Sequence, residues 1–258
     1  MRSYKAFLKK EWMETVRSWR IFILGLVFLL IGAASPLTAK YLPEIVSQFM
    51  PAGMSLEFAA PAAEDAWLQF FKNSSQIGLV VFLIMYSGMF SGEYARGTLV
   101  CVLAKGLPRR TVVLAKFTSA VICWSGLYLG SAAVCFGYTW FFWDESVSME
   151  GLPLCLAGMW VLGFVLLAVL TLGGSVVSSA CGCLLFAGVF LAAQFAGSIF
   201  PRVAEYMPVS LAAGNAGQLN GTADMQSFSG TLILSAAVGI LALWAAVCVF
   251  ERRKLLLL

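Results

Sequence analysis

Histidine occurs nowhere in the 258 residues. Its absence removes imidazole as a metal ligand, as the base of a Ser-His-Asp triad and as a proton relay near neutral pH. Charge is scarce as well: Asp, Glu, Lys and Arg make up 12% of the chain, where soluble domains carry about 25%. No Gly-x-x-x-x-Gly-Lys-Ser/Thr phosphate loop is present, so P-loop nucleotide hydrolysis has no site in this chain and it is not expected to be an enzyme. Of the seven cysteines, Cys101, Cys123, Cys135, Cys155, Cys181, Cys183 and Cys248, none has zinc-site spacing. Cys181 and Cys183 would have to face one way to share a soft ion such as Cu(I), and positions i and i+2 of a helix do not. The cysteines read as small packing residues, and no metal site is expected.

What the chain has instead is apolar surface. Hydrophobic residues make up 60% of it, with a mean hydropathy of +0.88. A soluble fold of this length could not cover so much, so lipid must be the solvent for much of it. Crossing the hydrocarbon layer takes about 20 largely apolar residues. Six stretches qualify: about 21–39, 76–92 (with room to begin earlier), 112–142, 152–172, 178–200 and 230–250. They are continuously apolar rather than alternating, which favours helices over a barrel. The expected fold class is an all-α membrane protein with six transmembrane helices, forming one transmembrane domain over 1–258.

Orientation follows from the basic residues. Arg2, Lys5, Lys9, Lys10, Arg17 and Arg20 precede the first span. Arg96, Lys105, Arg109, Arg110 and Lys116 lie in or beside the loop between spans two and three, and Arg252, Arg253 and Lys254 follow the last. That places 14 of the 17 on one side, leaving Lys40, Lys72 and Arg202 on the other. Lys and Arg near span ends resist translocation, so both termini are expected in the cytoplasm. Tyr138, Trp140, Phe141, Phe142 and Trp143 then end span three at the outer interface. A cleaved leader over 1–34 is disfavoured, because a charged lead of twenty residues containing Glu11 and Glu14 is atypical of one.

Two segments say more. Over Tyr4 to Trp19, the residues Tyr4, Leu8, Trp12, Val16 and Trp19 recur at helical spacing while Lys5, Lys9, Glu14 and Arg17 point elsewhere. Such an amphipathic helix lies in the membrane plane. After span two, Leu99 to Leu103 is too short to span and predicts a short cytoplasmic helix. Gly97 and Thr98 suit its start, Gly106 and Pro108 its end, and Thr111 is placed to cap span three.

In these segments the chain resembles the ABC-2 type transporter permeases. Lys9-Lys10-Glu11 with Arg17-Ser18-Trp19 is similar to that family's N-terminal start. Glu93-x-x-x-Gly97-Thr98-Leu99 followed by Pro108-Arg109 and Lys116 resembles its cytoplasmic loop, and Glu205-Tyr206-Met207-Pro208 its outer proline segment. The resemblance implies an elbow helix over 1–20 and a coupling loop over 93–111. It also implies pairing with a second permease copy and docking on ABC ATPase subunits that bind ATP and Mg. Glu93, Arg96, Gly97, Thr98, Leu99, Leu103, Pro108 and Arg109 would then form the ATPase-coupling site. Glu93 would hold the loop to the elbow helix or to Arg96, Arg109 or Arg110. The implied function is the permease of an ATP-driven exporter in the bacterial inner membrane, working by alternating access.

The path is sparsely marked. The apolar cores carry almost no ionisable residues, which disfavours an ion channel, a proton-coupled carrier or an intramembrane enzyme. Gln194 is the clearest polar residue within a span, a path residue or, more in keeping with its type, an interhelical hydrogen bonder. Asn73 and Gln76, in the polar run Asn73-Ser74-Ser75-Gln76, lie where an exit vestibule would be. The remaining alternative is a non-transporting membrane anchor or assembly factor. No nucleic-acid partner is expected.

Overall fold

The computed structural model describes residues 2–48, 61–95, 97–104, 106–143, 151–222 and 225–253, and there is no strand among them. The helices are α1 (Arg2–Arg17), α2 (Arg20–Gln48), α3 (Ala63–Asn73), α4 (Leu79–Ala95), α5 (Thr98–Ala104), α6 (Arg109–Trp143), α7 (Leu152–Val176), α8 (Ala180–Gly197), α9 (Pro201–Ala204), α10 (Ser210–Ala213), α11 (Asn215–Leu219) and α12 (Met225–Arg252). Six runs are long and apolar enough to cross a membrane: α2, the continuous α3–α4 run, α6, α7, α8 and α12.

The largest departure from the sequence reading is in the second span. It begins at Ala63 rather than near Gln76 and runs to Tyr94. Asp65 accepts a hydrogen bond from the Ala62 N–H at 3.0 Å, and Glu64 and Asp65 complement the positive helix start. The polar run does not break this helix, because Ser74–Gly78 continues it as a π-helical turn. Gly78 there meets the Phe28 ring of α2; a Cβ added to it would lie 3.2 Å from that ring.

α7 is the most enclosed of the spans, surrounded by α4, α6, α8 and α12. Aromatic rings fill the space between α2, α3, α4 and α6. Trp124 stacks on Tyr128 at 5.3 Å and meets Phe28 and Phe82 edge-on at 5.7 and 5.5 Å. Gly163 of α7 admits the Trp124 indole; a Cβ there would lie 2.3 Å from the ring. α2 and α6 cross where Ser131 donates its hydroxyl to the Phe28 carbonyl at 2.6 Å. Gly78, Gly163 and Ser131 thus serve close helix packing.

Trp19 turns the chain from α1 into α2. Its φ of 60° lies in the left-handed region, which costs a bulky residue about 1–2 kcal/mol. Its carbonyl accepts the first amides of α2, from Phe22 and Ile23, each at 3.1 Å.

The apolar stripe expected on α1 divides in two. The face against the bundle is Phe7, Glu11 and Thr15, flanked by Tyr4 and Leu8, while Trp12, Val16 and Trp19 are exposed. A helix with one side on protein and aromatic groups on the other has two apolar partners, so a single stripe does not describe it. Expected ends shift elsewhere too. α2 continues to Gln48 and α7 to Val176, α8 is shorter (Ala180–Gly197), and α12 is longer (Met225–Arg252).

Candidate functional site

α5 is positioned by two glycines. Gly97 (φ 65°) ends α4, its N–H reaching the Tyr94 carbonyl at 3.1 Å, and Gly106 (φ 82°) ends α5, its N–H reaching Leu103 at 3.0 Å. Both have the left-handed backbone that a side chain resists. Between them Leu99 is buried, and Leu103 and then Leu107 pack against the core. Gly97, Thr98, Ala104, Gly106 and Pro108 are exposed. The short helix is therefore seated by leucines on one side and open on the other. α6 begins at Arg109, directly after Pro108, so Thr111 lies inside its first turn rather than capping it.

Beneath this helix lies a knot of charge. Glu93 is 4% exposed, Lys116 3% and Glu11 9%. The Lys116 ammonium donates to both Glu11 carboxylate oxygens at 3.1 and 3.0 Å and stands 3.2 Å from Glu93 Oε2. From the other side Lys10 donates to Glu93, to Glu11 at 2.9 Å, and pairs with Glu14 at 3.0 Å. Phe7 and Phe90 turn their rings toward Lys116 at 5.9 and 5.8 Å. Burial alone would lower the Lys10 pKa, but hydrogen bonds to Glu93, Glu11 and Glu14 outweigh it and hold it above the usual lysine value. Glu11, Glu14 and Glu93 lie close enough to hold a cation; the Lys10 ammonium already reaches all three.

Of the expected partners of Glu93 it is α1, through Lys10, that meets it, joined by Lys116, whose part the sequence reading missed. An isolated lysine inside the apolar run Val112–Ala120 was the available signal, because such a cation needs a counter-ion. Glu11, falling in register with Phe7 and Thr15, was the matching one.

Arg109 does something else. Its guanidinium donates to the carbonyls of Phe250, Glu251 and Arg253, which end α12 and complement a cation. Arg253 extends the junction by donating to the Tyr94 hydroxyl at 3.2 Å, the Ser175 carbonyl at 3.0 Å and Ser178 Oγ at 2.6 Å. Its guanidinium also lies 5.0 Å from the centre of the Tyr94 ring. The ends of α4, α7 and α12 and the starts of α6 and α8 thus meet at two arginines. Arg110 is exposed, and Arg96 lies outside the described residues.

The expected path residues do not share one place. Asn73 donates to Ser35 Oγ at 3.1 Å and accepts from Gln69 at 3.2 Å, tying α3 to α2. Gln76 lines a pocket of 560 Å³ between α4, α7 and α8. Gln194 is half-buried on α8, and its Oε1 has no hydrogen-bond partner among the described residues.

The uncharacterized transmembrane protein YxlG of Bacillus subtilis (strain 168) is 25% identical over 220 residues, covering 82% of this chain and 83% of that one. Residues 6–255, from α1 past Arg253, match the family described as ABC-2 family transporter protein. The chain belongs to that family of multi-pass membrane proteins.

Proposed function

We propose that the chain is the permease subunit of an ATP-driven exporter, and that α5 is the surface through which a separate ATPase moves it. The observation carrying this reading is the mounting of α5: open on its outer face, seated by Leu99 and Leu103, and tied at its two ends to different parts of the bundle. Glu93, just before α5, leads through Lys10 and Lys116 to α1 and α6. Arg109, just after it, leads to the end of α12, where Arg253 reaches α7 and α8. A push on α5 then moves the bundle as a body instead of bending a loop. Chains of ion pairs and packed helices carry such coupling when they have discrete arrangements.

Membership of the family implies an ABC ATPase partner, and in this reading ATP and Mg belong to that partner, which agrees with the lack of a phosphate loop in this sequence. In this reading that face is cytoplasmic, which the basic termini and loop support, and the membrane is a bacterial inner membrane. A second permease copy is proposed to complete the path, since α8 and α12 bury the least of their length within one chain. The chain has no catalytic role in this reading.

Glu93→Ala tests it. In the complex isolated from native membranes, this variant inserts and assembles normally, while ATP hydrolysis loses its dependence on the permease. Normal regulation of hydrolysis by the Glu93→Ala chain would remove this residue, and the clamp, from the mechanism.

A further inference from the structure

The turn from α1 into α2 carries charge that the chain itself does not neutralise. Arg17 ends α1 and Arg20 begins α2, and neither pairs with a carboxylate among the described residues. Lys10 and Lys116 differ in this, being held among Glu11, Glu14 and Glu93. The first turn of α2 holds no acidic residue, so Arg20 stands at the positive end of that helix without an anion. Lys10, Met13, Glu14, Arg17, Ser18 and Arg20 line an open groove of 440 Å³ at this turn. Its one carboxylate, Glu14, is already paired with Lys10 at 3.0 Å.

What covers the groove follows from its height in the bilayer. α2 is a spanning helix that starts at Arg20, and its first exposed side chains are Phe22, Ile23 and Leu26. A spanning helix turns such groups to acyl chains, so the arginines just before them lie at the level of that leaflet's phosphates. Trp19, between the two arginines, is 69% exposed, with its ring 5.4 Å from that of Phe22. An indole placed there is an interfacial anchor at the same level.

We infer that this groove binds the phosphate of an anionic phospholipid, with Arg17 and Arg20 as its cations and the exposed start of α2 against its acyl chains. A guanidinium offers phosphate oxygens a fork of N–H donors, which an ammonium does not. A choline lipid also has a phosphate, but it brings a further cation to a groove lined by Lys10, Arg17 and Arg20, so net negative charge is selected. The inference goes beyond the coupling reading and does not depend on it.

The test uses the full chain in nanodiscs of equal parts phosphatidylglycerol and phosphatidylcholine. One lipid or the other carries a photoreactive group on its acyl chain near the glycerol, and labelling is mapped over residues 12–26 by mass spectrometry. Phosphatidylglycerol should label this segment several-fold more than phosphatidylcholine. Arg17→Gln with Arg20→Gln should abolish that preference. Lys5→Gln with Lys9→Gln, which removes the same charge from exposed positions of α1, should keep it. Should the arginine pair variant fail to fold by gel filtration, Arg17→Gln alone, at an exposed position, should at least halve the preference. Excess inorganic phosphate should leave labelling unchanged. Equal labelling by both lipids in the unmodified chain overturns the inference. So does an equal loss in the lysine and arginine variants, because the attraction is then diffuse. Erasure by inorganic phosphate overturns it too, the occupant then being a free ion, as does a segment that neither lipid labels, which is then covered by protein.

Discussion

Lys116 decides more at the residue scale than any other side chain. It is buried between Glu11 and Glu93, so removing it leaves carboxylates with less compensation in a place water barely enters. Breaking a buried pair from one side typically costs about 3–5 kcal/mol. Lys116→Met should therefore lower the thermal midpoint far more than Arg110→Met, where the side chain is exposed; denaturation of the two variants in one detergent checks this. Equal losses would mean that the knot is not a buried network. Lys10 behaves differently with pH. Its pKa is raised in the fold, so its contribution is complete below the usual lysine value of 10.5 and is lost only as pH rises past the raised one. Across the physiological range the lysine side of the clamp should hold constant, so a hydrolysis–pH profile of the Lys10→Arg complex should keep the shape of the unmodified one. The sequence made Glu93 visible through its spacing from Gly97. It left the N-terminal helix as one of several candidate partners and hid the part of Lys116, because α1 and α6 come together only after a long chain separation.

Helix-scale features were the easiest to read. Five of the spans fall close to their expected places, because twenty apolar residues in a row leave lipid as their only good solvent. α3 was missed for the converse reason: its charged start and the polar residues at Asn73–Gln76 look like a loop, and only Ser35 and Gln69 show where Asn73 is satisfied. α5 was foreseen from Leu99–Leu103 between glycines. Its rigidity makes a prediction at this scale. Gly97→Val and Gly106→Val place branched side chains at φ 65° and 82° in otherwise open space, so each should disorder the ends of α5 without creating a clash. Amide exchange over 94–107 should quicken while that of α7 stays slow. Unchanged exchange in α5 would mean that its leucines alone set its position. Arg253→Ala acts from the far end. It frees Tyr94, Ser175 and Ser178 together, and should loosen the ends of α4 and α7 and the start of α8 in the same experiment.

Taken whole, the molecule has a stiff middle and two ends of different chemistry. One end gathers buried ion pairs and arginines around an exposed short helix; the other gathers aromatic groups, with Lys40 lying 4.3 Å from the Phe142 ring and Trp143 donating to the Pro61 carbonyl at 2.7 Å. α7 between them is enclosed on most sides; in the proposed mechanism displacement at the charged end would reach the far end through these packed helices. Composition was enough to place this chain in a membrane; the loop after span two was singled out by its resemblance to the ABC-2 permeases. The division of that loop's anchors between Glu93 and Arg109 came only from the fold. In situ cross-linking from α5 tests the account most directly. In a background without other cysteines, Thr98→Cys on the exposed side of that helix should join the chain to an ABC ATPase in native membranes, with a yield that changes when nucleotide is added. A Thr98→Cys chain that reacts only with an impermeant thiol reagent applied outside the cell, and captures no ATPase, would contradict it.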